Sequence, residues 1–472
     1  MNRNQTICMF QILCDQYWPE SKALYGQVEV SLQHTVKLAN FTVRTFLVSN
    51  QSLSRKSDIR QLLHFQYTSW PKNSNPENPL PLLNYIRASS SHSELRGSPI
   101  IVHTSPANNH AGVYIAIAVM LKQMKSIGEL NLLSFLLHTG QKGQHLIRSI
   151  KDFNFLHDTL AEAVAAGETN IKNSYLTRYI NSLHSSFMTY GESRQLLDQQ
   201  LALVNTAFSQ RENNTKDQDQ TALAFGKNAV RWIPGFFSLQ AFLLSKHPEE
   251  RNVQEFWRLV LENGVHTIVA VKSDMQAAFP EIWSTMQVNG GPIYVTHRDD
   301  EISFKFKSKN FILEFGNNMR KFVKVIFCDN FLGQTDSHLD TGQALSLLET
   351  VHSRMSTLPK SPILVLDGDG GEAGTAFCAL LTLYEQNIHE QHCDVYQAVK
   401  TANMSRQGAW SKPVKLMQVY KVVEEMVNKE SMVKEKYLQQ LQKFNKKSQF
   451  RISIRQWRTG KNIQNQTEEK RF

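Results

Sequence analysis

Apolar positions along the chain fall into short runs that switch between a period of two and a helical period. Gln27–Ser49 and Arg60–Tyr67 are rich in β-branched and aromatic residues with turn formers between them, which predicts strands. Pro99–His103 is a brief apolar run and predicts a short buried strand. Helical spacing follows over His110–Lys122, Leu130–Leu137 and Lys151–Ala165. Asn170–Val204 predicts one long helical stretch joining two blocks, and the polar, aperiodic Ser209–Gln220 predicts an exposed loop. In the second block Val265–Val271 and Phe322–Cys328 predict strands, Ile363–Leu366 a central strand and Thr375–Asn387 a helix. Asn428–Lys447 predicts a charged amphipathic helix and Ser448–Phe472 a basic, frayed tail. Strands and helices alternate through both blocks, so each is expected to be an α/β domain with a covered sheet. The boundaries expected are 1–168 for the first domain, 169–208 for a helical linker or the start of the second, 209–428 for the second and 429–472 for the tail.

The 472 residues are 41% apolar and 20% charged, ordinary for a globular chain of two or three domains. Five cysteines, an odd number in a long chain, point to a reducing compartment rather than a disulfide scaffold. The longest apolar run, Ala111–Leu121, is too short to span a bilayer. No transmembrane segment or signal peptide is expected in this chain, and a cytoplasmic location is. The net charge of +10 suits acidic partners, although a solvated basic surface accounts for it equally well.

The stretch Ile101-Val-His-Thr-Ser-Pro-Ala-Asn-Asn-His-Ala-Gly-Val-Tyr-Ile115 reads as strand, polar loop and helix start. Such a turn aims backbone N–H groups at one point, where an anion can sit. It resembles the phosphate loop of protein tyrosine phosphatases, His-Cys-x5-Arg-[Ser/Thr]-Gly. His103 and Gly112 match; Thr104 stands at the nucleophile position and His110 at the phosphate-clamping arginine. Six positions after Cys8, Cys14, Cys328, Cys378 and Cys393 lie Cys14, Glu20, Gln334, Tyr384 and Val399, so Cys-x5-Arg occurs nowhere. A hydroxyl does not replace a low-pKa thiolate, and a largely neutral imidazole does not replace a bidentate guanidinium.

Further matches are dispersed and in order. Cys14-Asp-Gln-Tyr-Trp-Pro19, Thr42-Val-Arg-Thr-Phe46, His64-Phe-Gln-Tyr-Thr-Ser-Trp-Pro71 and Phe155-Leu-His-Asp158 are similar to segments of a membrane-proximal receptor phosphatase domain. Lys227-Asn-Ala-Val-Arg-Trp-Ile-Pro-Gly235, Glu255-Phe-Trp-Arg-Leu-Val-Leu-Glu262 and Ile363-Leu-Val-Leu-Asp-Gly-Asp-Gly-Gly-Glu-Ala373 resemble the membrane-distal one. The resemblance implies two tandem tyrosine-phosphatase-like α/β domains, each a central twisted mixed sheet flanked by helices. It also implies that the first is N-terminally truncated, since only Met1–Leu13 precede its first motif.

Carried over residue by residue, the family's general acid falls at Lys72 and its water-positioning Gln at Arg148. In the second domain Asp367 takes the nucleophile position, Ala373 the arginine and Gly333 the acid. An Asp at the nucleophile position points to the gamma/zeta-like subgroup. The remnant of the first phosphate loop comprises His103, Thr104, Ser105, Ala107, Asn108, Asn109 and His110. Thr104 and Asp367 are each expected in a loop between a central strand and a helix, and Asp367, Asp369 and Glu372 are expected to repel phosphate. The reading is a catalytically inactive pseudophosphatase that binds protein partners, such as phosphotyrosine proteins or active receptor phosphatases. The alternative is an active enzyme with a non-standard site. No cofactor, metal or nucleic acid is expected. Gly368–Ala373 also fits G-x-G-x-x-A, but no strand ending in an acid follows about 20 residues on. His103 and His110 lack companions at ligand spacing.

Overall fold

The computed structural model describes residues 15–51, 59–71, 74–91, 99–105, 109–143, 145–189, 192–207, 222–225, 228–273, 286–288, 293–302, 306–316, 319–333, 341–368, 371–406 and 408–433. The predicted loop at 209–220, the tail beyond 433, Lys72, Ala107, Asn108 and Asp369 lie outside them.

The first unit opens with a meander of β1 (Lys22–Tyr25), β2 (Val28–Lys37), β3 (Phe41–Asn50) and β4 (Arg60–Tyr67), all antiparallel. Helices α1 (Leu80–Ser91), α2 (His110–Ile127), α3 (Leu132–Gln141) and α4 (Ile150–Ala166) follow. Their caps agree with the local sequence: Ser149 accepts from Asp152 N at the start of α4, and Gly128 ends α2 at φ 75°.

The predicted strand at Pro99–His103 does not form; the segment is coil, with Ile101 88% exposed. A parallel strand needs neighbours for its backbone groups. Among the described residues β4 pairs only with β3, and no strand of the first unit lies where a partner is required. The first unit's described strands are antiparallel throughout, and the mixed sheet lies in the second unit.

The stretch expected as one long helix is also broken. It contains β5 (Ile171–Lys172), α5 (Leu176–Ser182), a hairpin of β6 (Ser186–Thr189) and β7 (Glu192–Gln195), and α6 (Leu196–Asn205). The β-prone Ser-Phe-Met-Thr run and Gly191 interrupt the helical pattern.

The second unit carries the mixed sheet in full. Its strands are β8 (Ala222–Phe225), β9 (Asn228–Ile233), β10 (Phe242–Lys246), β11 (Thr267–Val271), β12 (Met286–Val288), β13 (Ile293–Ile302), β14 (Lys307–Phe315), β15 (Met319–Cys328) and β16 (Ile363–Asp367), with α7 (Val253–Glu262) and α8 (Thr341–Thr357) between them. The order is β12-β13-β14-β15-β11-β16-β10-β9-β8, with β10, β16, β11 and β15 parallel. The run Ile-Leu-Val-Leu-Asp of β16 is buried on both faces, as its central place demands. Ile363 and Val365 face the large core shared with α9 (Glu372–Glu390), α10 (Val395–Ser405) and the helix at 413–433, here α11. Leu364 and Leu366 face a second core built on Phe256 and Trp257 of α7. A short strand β17 (His392–Cys393) pairs with β5.

The large core continues without interruption into α1, α2 and α4 of the first unit. Polar groups cross the same boundary. Arg87 of α1 pairs with Asp394 at 2.9 Å, and Thr169 donates to the same carboxylate at 3.0 Å. Lys400, 1% exposed, places its ammonium 2.8 and 2.9 Å from the Glu162 carboxylate of α4, and the Tyr396 hydroxyl donates to that carboxylate as well. Burial pushes the lysine pKa down while Glu162 opposes the shift.

Candidate functional site

The two turns that the sequence motifs mark lie before α2 and before α9. In the first, the coil at 99–105 leads to α2 across residues outside the described set. Asn109 precedes the helix, and its side-chain amide donates to the Leu146 carbonyl at 2.7 Å. A Cβ on Gly112 would lie 1.9 Å from that carbonyl oxygen, so only glycine allows the approach. The turn is thus clamped against the 145–148 segment. Thr104 and Ser105 are half-buried in the coil, and Arg148 is exposed, one residue before the N-cap of α4.

His110 does not reach over the loop as a clamp. Its ring stacks on Trp70 with centroids 4.1 Å apart and planes 19° apart. Burial there pushes its pKa down, with Asp152 opposing, so it is a neutral aromatic partner near pH 7. His103 lies 2.8 Å from the Tyr17 hydroxyl, which is also 3.1 Å from His64 Nε2. Arg44 approaches the other nitrogen of His64 at 3.4 Å, donates to Gln66 at 2.9 Å and stacks over Trp18. Burial, Arg44 and His103 together push His64 down to about 4.

The second turn differs at each point. Asp367 is the last residue of β16, paired in register with Lys246 and Val271, rather than a loop residue as expected. Its side chain is fully buried, and Oδ2 accepts the Gly374 N–H at 2.7 Å. The carboxylate thereby takes a helix N-terminal donor of the kind that would hold an incoming anion. Asp367 thus turns inward and caps α9. Glu372 is half-buried in the first turn, and Ala373 is buried. Gly371 holds φ 111°, and a Cβ there would lie 2.3 Å from Arg406 Cδ. A Cβ on Gly374 would lie 2.6 Å from Leu244.

Gly333 follows β15 beside Asn330 and Leu332, which adopt φ 58° and 52°. A Cβ at 333 would lie 1.5 Å from the Asn330 side-chain oxygen. A side chain there requires Asn330 to turn away and brings its Cβ to 2.9 Å from the Ser273 carbonyl oxygen. Lys272, nearly buried, pairs with Asp329 at 2.9 Å, and its carbonyl accepts from Phe331 N. Cys328, Cys378 and Cys393 are buried, and desolvation raises the thiol pKa of Cys378 and Cys393. Among the described residues no group of three metal-ligating side chains converges.

Sequence reasoning found both turns. It did not find the Trp70–His110 stack, the inward Asp367 cap or the packing at Gly333. The Trp70 and His110 rings are 40 residues apart in sequence, and no periodicity links them.

Two α/β units, each with a helix that begins at the corresponding turn, α2 in the first and α9 in the second, define a tandem chain. The sequence profile of protein-tyrosine phosphatases matches residues 5–162 and 227–425, and the chain belongs to that family. It is similar to a receptor-type tyrosine-protein phosphatase of Culex quinquefasciatus, 26% identical over 447 residues, covering 89% of this chain and 30% of that protein. Receptor-type tyrosine-protein phosphatase zeta of Rattus norvegicus is 26% identical over 88% of this chain and 19% of its own length. Receptor-type tyrosine-protein phosphatase epsilon of Rattus norvegicus is 24% identical over 88% of this chain and 64% of its own. The chain thus spans a third or less of the first two relatives. No helix among the described residues is long and apolar enough to cross a membrane.

Proposed function

We propose that this chain is a pseudophosphatase: a tyrosine-phosphatase fold that acts in phosphotyrosine signalling by binding proteins, on the cytoplasmic side of the membrane. The observation that carries this reading is that neither turn presents a thiolate. Thr104 occupies the first and the buried, helix-capping Asp367 the second. The phosphatase reaction needs an anionic sulfur poised to attack phosphorus, a cationic clamp and an acid for the leaving oxygen. His110 stacks on Trp70, and Gly333 carries no acid. Partners are phosphotyrosine proteins or active receptor phosphatases. The residual N–H groups at the start of α2 favour an anion by about 1 kcal/mol, enough for weak phosphate affinity and no more.

The test is turnover of a phosphotyrosine peptide and of an aryl phosphate by the purified chain. The expected result is no release of phosphate above background. Turnover that disappears in Thr104→Val would establish the rival reading, an active enzyme with a non-standard nucleophile.

A further inference from the structure

The second unit has a cavity of about 220 Å³ lined by Arg298, Asp299, Asn310, Phe311, Phe322, Val323 and Arg354. It lies away from the candidate turn. Arg354 contacts Thr267, at the start of β11, whereas Asp367 pairs with Val271 at its end, roughly 13 Å further along the strand.

The lining combines an aromatic wall with fixed cations. Phe322 is 54% exposed although apolar, whereas the side chains of Phe311 and Val323 lie on the other face of the sheet in the second core. The half-buried Arg354 is held by its Nε on the Thr267 hydroxyl at 3.0 Å and by Nη2 on the His266 carbonyl at 3.2 Å. Those two bonds fix the guanidinium plane before any ligand arrives. Arg298 adds a second guanidinium from β13. Opposing charge is present too: Asp299 stands on the wall, and Glu301 pairs with Lys324 at 2.5 Å and is hydrogen-bonded by Asn310. Three cations against two carboxylates leave one positive charge, which suits a monoanion and not a phosphate dianion. The volume holds one ring or one short alkyl chain, and concave sites with an apolar wall and a few convergent polar groups are where small ligands bind.

We infer that this cavity is a binding site for a monoanionic carboxylate carried on an aromatic or alkyl group, with Phe322 against the apolar part and Arg298 and Arg354 on the carboxylate. The site is independent of either turn and stands whether or not the chain turns over phosphate.

The probe is 4-fluorophenylacetate, followed by its fluorine resonance as the full chain is titrated, with neutral 4-fluorophenylacetamide as comparator. Saturable binding near about 1 mM is expected for a ligand of this size, with the amide at least about tenfold weaker. Arg298→Gln and Phe322→Ala, both at exposed positions, are each expected to weaken the acid about tenfold or more without moving the thermal midpoint. Asn310→Trp, on the sheet face that Phe322 shares, fills the cavity and is expected to abolish binding; the two exposed variants keep the test valid if it misfolds. Competition by a peptide ending in a free phenylalanine carboxylate, tighter than the small acid, would assign the site to a polypeptide C-terminus, and weaker competition to a small acid. Equal binding of acid and amide, no saturation, or affinity unchanged by both Arg298→Gln and Phe322→Ala would overturn the inference.

Discussion

The turn before α9 and the turn before α2 stand at the same place in the order of elements, yet they are built to different standards. The former starts from β16, which has a parallel neighbour on each side, and ends in a carboxylate locked onto Gly374. The latter starts from exposed coil and is held by one side-chain amide and one glycine against the 145–148 segment. The difference teaches that a phosphate-type turn takes its rigidity from the strand feeding it. Where parallel neighbours are present, even an acid at the nucleophile position becomes a structural cap. Where they are absent, the same stretch of sequence loses its strand and keeps only its helix.

The largest effect is expected from Gly112→Ala, because the added methyl meets a backbone carbonyl at 1.9 Å rather than a flexible side chain. A loss of about 3 kcal/mol is expected, read from the midpoint of urea unfolding. A loss below about 0.5 kcal/mol would show that the 145–148 segment yields freely and that the first turn is looser still.

Asp367→Ala removes a buried acceptor and leaves the Gly374 N–H unsatisfied. A cost of about 2 kcal/mol is expected, whereas Thr104→Ala in the half-buried coil is expected to cost less than about 0.5 kcal/mol. Equal costs in thermal or urea unfolding would erase the contrast between the turns.

His64 and His110 of the first unit and Glu385 of the second respond to pH with opposite sign. His64 and His110 have pKa values below the usual imidazole range, so the unfolded chain takes up protons at a pH where the folded chain does not. Their contribution to stability is present above about pH 6.5 and falls as pH drops toward 4. After discounting for partial exposure, His64 accounts for about 1–2 kcal/mol of that loss. Glu385 of α9 is raised to about 7 by burial, so the folded chain retains a proton that the unfolded chain releases, and its contribution falls as pH rises from about 4.5 to 7. His64→Phe is expected to flatten the acid limb of a stability–pH profile, and Glu385→Gln the neutral limb.

The smallest effect concerns the cluster around Tyr17. Arg44→Gln removes a cation beside His64. The His64 midpoint, followed by its ring proton resonance, is expected to rise from about 4 by a fraction of a unit, since burial is the largest cause of the shift. An unmoved midpoint would show that Arg44 is fully screened from the ring.

Much of this was legible in the sequence, because its signals are local. The β-branched meanders, the helices at 110–127 and 150–166, the wholly apolar Ile363–Leu366 run and the family motifs depend on residues close in the chain. So did the absence of Cys-x5-Arg. What the sequence could not decide depends on partners far away. Pro99–His103 has the composition of a strand and remains coil, because a strand is a property of neighbours as well as of residues. The Asn170–Val204 segment has helical stretches, but tertiary packing chose a hairpin in its middle. Asp367 reads as a repulsive charge until the fold turns it onto Gly374, and His110 as a substituted clamp until Trp70 covers it. Glu162 and Lys400 lie 238 residues apart, and the shared core buries them together. The order of residues determines which groups are available; only the folded chain sets their distances, and burial and hydrogen bonding act through distance.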